Sequence, residues 1–261
     1  MKISLIITTF NWPESLLLVL KSVRYQTLPP DEIIIADDGS GENTRDLISS
    51  YKKQFDLNII HSWQEDNGFR AARSRNKAIF KSSGDYIIMI DGDIVLHHNF
   101  VKDHINSAEK GYFIQGTRSL LTEKETREAL IKKNASFSFF SSRLKNRKNA
   151  IHSKILSFIF SNKKNYLRGI KSCNMAFFKN DCININGFNN NFEGWGREDS
   201  EFSQRLMNLG IKRKTLRFNA IQFHLWHKEN SRDLLNKNDA IMQETINMKV
   251  VWCENGINNY L

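Results

Sequence analysis

Short, continuous apolar runs alternate with amphipathic stretches through the first 117 residues. "KISLIITTF", "EIIIADDGS", "LNIIHSW" and "DYIIMIDGD" each carry consecutive apolar, largely β-branched residues and read as strands buried on both faces. Behind "NWPE", residues Leu16, Leu17, Leu20 and Val23 recur at helical spacing. Asn11 is expected to cap that helix, and Pro13 fits its first turn, where a missing N–H costs nothing. Helices over about 42–54 and about 70–80 fill the next intervals. This alternation predicts parallel β-α-β units, hence an α/β, Rossmann-like fold with a mostly parallel central sheet flanked by helices. Ligands bind such sheets beyond the carboxyl ends of the strands. Thr8–Thr9, Asp37–Asp38 and Asp91–Asp93 all fall at those ends.

After about Thr117 the alternation is lost. The stretch 137–168 holds eight basic residues and no acidic one, interleaved with Phe, Ile and Leu. Such a segment suits an anionic membrane surface, or else a loop with solvated lysines. Regular structure resumes with a strand at "GIKSCNMAFFK", the loop "GFNNNFEGWGRED", a helix over about 197–209, a strand ending near "IQFHLWH" and a last helix from about 233. There is no internal repeat and no linker. The expectation is one domain, 1–261, in three parts: 1–117, a variable basic segment 118–168, and 169–261.

Composition narrows the picture only a little. A chain of 261 residues, 40% hydrophobic, can bury one sizeable core. A net charge of +10 suggests an anionic partner such as a nucleotide, phospholipid, phosphorylated glycan or nucleic acid. No nucleic-acid recognition motif accompanies the charge, so nucleic acid is not expected as a partner. Three cysteines without metal-site spacing fit a reducing compartment. No apolar run is long enough to span a membrane, and "MKISLIITTF" reads as a strand and not as a signal peptide. A cytoplasmic chain, or one peripheral on the cytosolic face of a membrane, is expected.

Four constellations carry candidate chemistry. Asp91-Gly92-Asp93 ends a buried strand on two like charges, a conflict that a bound cation or a solvated turn would resolve. Hard oxygen ligands suit Mn²⁺ or Mg²⁺, which complete their shells with diphosphate oxygens. Glu198 and Asp199 follow the Gly194-Trp195-Gly196 loop at a helix start. The helix dipole favours acids there in any case, but the Trp-bearing loop resembles a ligand platform, and one carboxylate could serve as general base. His224 and His227 flank Leu225–Trp226 at a strand end, and one of them could supply nitrogen to the metal. Arg70, Arg73 and Arg75 open a helix just after Gly68, a setting for an anion or simply a solvated basic face.

Taken in order, "SLIITTFNWPESLLLVLKSVRYQT", "DEIIIADDGS", "NGFRAARSRNKAI", "GDYIIMIDGDIVLHHNF", "NMAFFK" and "GFNNNFEGWGREDSEFSQRLMNLG" resemble family-2 glycosyltransferases of the GT-A fold. The "GWGREDSEF" element is similar to that of β-1,4-galactosyltransferases and bacterial chondroitin-type polymerases. The resemblance implies inverting, metal-dependent transfer from a UDP-sugar donor. Thr8, Thr9, Phe10, Asp38, Arg70 and Arg75 would line the nucleotide-sugar pocket, with Asp38 at the base and Asp91 near ribose and metal. Asp93 would ligate Mn²⁺ or Mg²⁺, with Asp91 and His224 in support. Gly194 and Trp195 would meet the acceptor sugars, Glu198 would hold hydroxyls, and Asp199 would be the catalytic base. The histidine element offers His227 as well as His224, and the arginine that meets the diphosphate stays open. Stretch 118–168 is unmatched and would shape the acceptor side. The implied setting is bacterial lipopolysaccharide, O-antigen or capsule synthesis, on a glycan or lipid-linked glycan acceptor.

Two other readings compete. A non-catalytic nucleotide-sugar or glycan-binding module would keep the pocket and lose the chemistry. A haloacid-dehalogenase-type phosphohydrolase would use "IMIDGDIVL" as its nucleophile strand, but that strand normally opens its domain, whereas here three β-α units precede it.

Overall fold

The computed structural model describes residues 1–141, 143–228 and 231–260. The strands are β1 (Ile3–Thr9), β2 (Glu32–Asp37), β3 (Ile59–Trp63), β4 (Tyr86–Asp91), β5 (Ile94–Leu96), β6 (Tyr112–Gln115), β7 (Ser119–Leu121), β8 (Leu144–Lys145), β9 (Met175–Phe178), β10 (Lys212–Thr215) and β11 (Gln222–His224). The helices are α1 (Pro13–Arg24), α2 (Glu42–Phe55), α3 (Ala71–Lys81), α4 (Phe100–Ser107), α5 (Glu123–Lys132), α6 (Lys154–Phe160), α7 (Lys179–Asn184), α8 (Glu198–Asn208) and α9 (Leu235–Asn247). A seven-stranded sheet runs in the order β10-β6-β9-β4-β1-β2-β3, and a four-stranded one in the order β5-β11-β7-β8.

The apolar runs form the middle of the large sheet. Leu5, Ile6, Ile7, Ile34, Ile35, Ile87, Ile88 and Ile90 are fully buried, as strands covered on both faces by helices must be. β1 pairs in parallel with β2 on one side and β4 on the other. The chain thus reverses its direction of travel across the sheet at β1, the switch point where such folds open a crevice. Register places Thr8 beside Asp91 and Thr9 beside Asp37, so the polar strand ends lie level.

The sheet is mixed. β9 runs antiparallel between β4 and β6. It is shorter than "GIKSCNMAFFK" suggests, because Ser172–Asn174 form a 3₁₀ turn. The Gln115 side chain accepts from the Lys171 N–H and donates to the Lys171 and Asn174 carbonyls, occupying groups a longer ladder would need. Asn11 does not cap α1, whose N-cap position is Trp12. Asn11 is left-handed (φ 44°), and its Oδ1 accepts from the Gly41 N–H, tying the end of β1 to the loop after β2. Beyond Thr117 the chain is more regular than the pattern showed: β7, α5 and α6 lie there, and Thr122 caps α5 by accepting from the Glu125 N–H.

One buried ion pair fixes the stretch that leads into α8. Arg205 and Glu201 are 0% and 1% exposed, and the guanidinium also donates to the Ile185 and Gly187 carbonyls. Asn76 grips the same turn from α3, bonding both the N–H and the carbonyl of Phe188. Arg205→Ala strands a buried carboxylate and two carbonyls together. A loss of about 3–5 kcal/mol is expected in urea unfolding monitored by fluorescence.

Candidate active site

A cavity of about 1420 Å³ opens at the carboxyl ends of β1 and β4. Thr8, Thr9, Phe10, Asp38, Arg75, Asp91, Asp93, Trp195, Glu198, Asp199, His224 and His227 all line it. Residues more than 200 positions apart therefore meet in one place.

The cation-type cluster is built by the small sheet. β11 pairs antiparallel with β5, setting His224 opposite Ile94, and the ladder continues as the Leu225 N–H donates to the Asp93 carbonyl. His224 Nε2 then lies 3.4 Å and His227 Nε2 3.2 Å from Asp93 Oδ2. The other carboxylate oxygen, Asp93 Oδ1, is buried with no partner among the described residues. Burial works to raise the Asp93 pKa, but the two histidines and Arg118 outweigh it and hold the carboxyl below its usual range. Burial lowers His224, whereas the bond to Asp93 pushes His227 up to about 9. One carboxylate with a free oxygen and two imidazoles within reach of a common point suit a divalent cation.

Asp91 stands apart from that trio. Its carboxylate lies 3.5 Å from Arg75 Nη2, while Arg75 Nη1 reaches Glu198 at 3.0 Å and Nε donates to Thr8 Oγ1. Burial pushes Asp91 up to about 6; Arg75 opposes this and Asp93 adds to it. Burial penalises the Arg75 cation, yet Glu198 and Asp91 raise its pKa on balance. The three arginines thus separate. Arg75 is in the site, and Arg73 is exposed on the outer face of α3. The Arg70 N–H donates to Asp38 Oδ2 while its guanidinium points 3.8 Å from Glu193. Asp38, also bonded by Gln64, is pushed up by burial. Its neighbour Asp37 turns inward to His61 and Ser40 and is structural.

The opposite wall is the start of α8. Gly196 (φ 107°) and Arg197 (φ 77°) are left-handed, turning Trp195 outward at 41% exposure and delivering Glu198 and Asp199 into the cavity. Gly194 lies behind the lining, its N–H donating to the Phe69 carbonyl. Asp199 Oδ2 accepts from the Ser172 N–H, and Oδ1 from the Ser200 hydroxyl. Burial, reinforced by Glu198, pushes its pKa up to about 6. Gly92 is held by crowding, not by an unusual φ. A Cβ there would stand 2.9 Å from Thr9 Oγ1 and 3.0 Å from the Thr8 carbonyl.

Several lining residues carry no recognised motif. Arg118 sits just past β6 and donates to Cys173 Sγ, close enough to lower both aspartates. Lys145, Arg168 and Lys171 also line the cavity, and their side chains make no ion pair among the described residues. Arg118 follows the end of a sheet strand, the place where ligand residues gather, so topology was the available signal.

These strand-end carboxylates on a mixed sheet define a GT-A architecture. Residues 4–181 match the model of glycosyl transferase family 2, and this chain belongs to that family. Residues 155–228 also match a model described as the N-terminal domain of galactosyltransferase. Family membership removes the phosphohydrolase reading. The hyaluronan synthase of Pasteurella multocida is 28% identical over 233 residues, covering 82% of this chain and 24% of that protein. Validoxylamine A glucosyltransferase of Streptomyces hygroscopicus subsp. limoneus is 27% identical over 227 residues, covering 80% and 48%. The chain thus spans between about a quarter and a half of these relatives. Among solved structures, S. aureus TarS 1-349 superposes with a TM-score of 0.67 at 14% identity, over 99% of this chain and 68% of that one.

Proposed function

We propose that this chain transfers a hexose or N-acetylhexosamine from a UDP-sugar to a hydroxyl of a glycan or lipid-linked glycan, with inversion, in bacterial lipopolysaccharide, O-antigen or capsule synthesis. The observation that carries the reading is that one cavity holds both a cation-type cluster at Asp93 and an anchored, basic carboxylate at Asp199. A TarS structure in complex with UDP-GlcNAc and a Pyrobaculum calidifontis mannosyltransferase with GDP-Man and Mn²⁺ share the fold and support a nucleotide-sugar donor and a divalent cation.

In this reading residues 1–117 hold the nucleotide, 118–168 shape the acceptor side and 169–261 supply the catalytic wall. Asp93, His224 and His227 would hold Mn²⁺ or Mg²⁺, while Asp91, engaged by Arg75, stands outside that trio. The cation, when bound, neutralises charge developing on the leaving diphosphate. Thr8, Thr9, Phe10 and Asp38 seat the nucleoside, while Arg70 positions Asp38 through its N–H. Arg75 holds Asp91 and Glu198 in fixed relation. Trp195, with Gly194 shaping its loop, offers a stacking face to the acceptor sugar. Asp199 takes the acceptor hydroxyl's proton as that oxygen attacks the anomeric carbon. A single displacement turns an α-linked donor into a β-linked product. Lys145, Arg168 and Lys171, without an ion pair among the described residues, favour an acceptor that carries an anionic group.

The test is a donor screen with UDP-Glc, UDP-Gal, UDP-GlcNAc and UDP-GalNAc, following UDP release with Mn²⁺, with Mg²⁺ and in excess chelator. At least one donor is expected to turn over slowly, and only with metal. Full activity in chelator overturns the cation assignment; silence with every donor, despite tight UDP binding, favours the non-catalytic module.

A further inference from the structure

Helix α6 is inside out. Its one buried residue is Ser157, whereas Ile155, Phe158 and Ile159 are 74%, 90% and 61% exposed. Phe160 is 49% exposed, and Phe140, earlier in the same segment, is 88% exposed. Water disfavours every one of these side chains, and Ile155, Phe158 and Ile159, at i, i+3 and i+4, form a contiguous helical stripe, not scattered singles. The helix is nevertheless well anchored. Ser153 caps it by accepting from the Leu156 N–H, and the Ser153 N–H donates to the Phe218 carbonyl. At its other end the Arg217 N–H donates to Ser161 Oγ, and the Phe160 and Phe218 rings meet at 5.6 Å. An outward apolar face on a tethered helix is therefore a feature of the fold and not a frayed end.

The charge around the face selects its partner. Lys154 opens the helix, and Lys164 and Arg217 follow close to its end. All three are exposed, and none makes a close ion pair with a carboxylate among the described residues, although Lys154 lies near enough to Asp103 to act on its pKa. Lys163 is held by Glu109 and Arg143 by Glu128, so those two are partly neutralised. Stretch 137–168 has no acidic residue to repel an anionic surface. An apolar stripe flanked by lysine and arginine is the arrangement that lies in the headgroup region of an anionic bilayer, with rings in the acyl boundary and ammonium groups at the phosphates.

We propose that the α6 face, Ile155, Phe158 and Ile159 with Lys154, Lys164 and Arg217 around it, docks the protein on the surface of an anionic lipid bilayer. No helix among the described residues is long and apolar enough to cross a membrane, so the contact is interfacial. Residues 161–166 alone separate α6 from the 167–173 stretch that walls the cavity. Docking therefore sets that wall close to the bilayer, within reach of an acceptor anchored in it. The docking does not depend on the reaction, so either can fail without the other.

The test is co-sedimentation of the full chain with vesicles of phosphatidylglycerol and phosphatidylcholine in equal parts, and with phosphatidylcholine alone. Binding is expected to the anionic vesicles, weakened at high salt, and much less to the neutral ones. The Ile155→Ser/Phe158→Ser variant is expected to lose at least about tenfold in partitioning while keeping its thermal midpoint and its metal-dependent UDP release in solution. Lys154→Glu/Lys164→Glu, which leaves the stripe intact, is expected to lose the preference for anionic lipid. No binding at low salt overturns the proposal, as does equal binding by the serine variant. Self-association of the native chain, abolished by the serine variant and without vesicle binding, assigns the face to a second copy and equally overturns it.

Discussion

Asp199→Asn is expected to lower sugar transfer by about 10²–10⁴-fold, the range a positioned general base contributes, while leaving UDP-sugar binding in place. The asparagine keeps the shape and can still accept from the Ser172 N–H, so the loss isolates the proton-accepting role. The native carboxyl has been pushed up to about 6, chiefly by burial. Transfer at saturating donor should thus rise with pH through about 6, as Asp199 becomes ionised, and the variant's residual rate should lack that limb. Stability should move the other way. An unfolded aspartate ionises near its ordinary value of about 3.9, so from about pH 4 to 6 the folded protein retains a proton the unfolded chain releases, and stability falls as pH rises. Above that window the Asn variant is expected to be more stable than the native chain by on the order of 1–3 kcal/mol. Below about pH 4 the two should converge. Unchanged transfer in the variant removes Asp199 from the role of base.

Asp93→Ala is expected to abolish metal-dependent UDP release. Stabilising charge on a leaving diphosphate is worth several kcal/mol, which at about 1.4 kcal/mol per tenfold corresponds to on the order of 10²–10⁴ in rate. Titration calorimetry with Mn²⁺ and UDP should show the metal-dependent component of nucleotide binding lost as well. His224→Ala and His227→Ala resolve what the sequence left open. The two nitrogens lie 3.4 and 3.2 Å from the same carboxylate oxygen, so both substitutions are expected to weaken the Mn²⁺ response. Native-like metal dependence in either variant removes that histidine from the ligand set.

Much of this site could be read along the chain because β1, β2 and β4 end on polar residues after unbroken apolar runs. Parallel pairing to a common central strand then brings those ends level. α8 was equally plain, with acids where a helix dipole wants them. Which of the three arginines enters the site was not legible, because α3 buries residues around most of its circumference, Ala72, Ser74 and Asn76 as well as Ala71, Arg75, Ala78 and Ile79. α5 had a readable T-x-x-E capping box at Thr122 and Glu125, masked by the polar stretch around it. A histidine at the end of the 222–224 strand was a readable candidate, but that both His224 and His227 reach Asp93 had no local signal. It depends on an antiparallel pairing between three-residue strands from distant parts of the chain. The inverted polarity of α6 was hidden for a different reason: periodicity shows that a helix has an apolar face, not which way that face points.

Gly92 carries a wider lesson about signatures. The central residue of Asp91-Gly92-Asp93 donates its N–H to the Thr8 carbonyl, and its own carbonyl accepts from the Ser15 hydroxyl. With Thr8 and Thr9 so close, position 92 is closed to a side chain before any ligand arrives. A search that scores the glycine as a mark of cation chemistry is in part measuring how tightly one strand seats against another. In a chain that kept the seating but had lost both carboxylates, the glycine would survive as a fossil of the architecture and say nothing of catalysis.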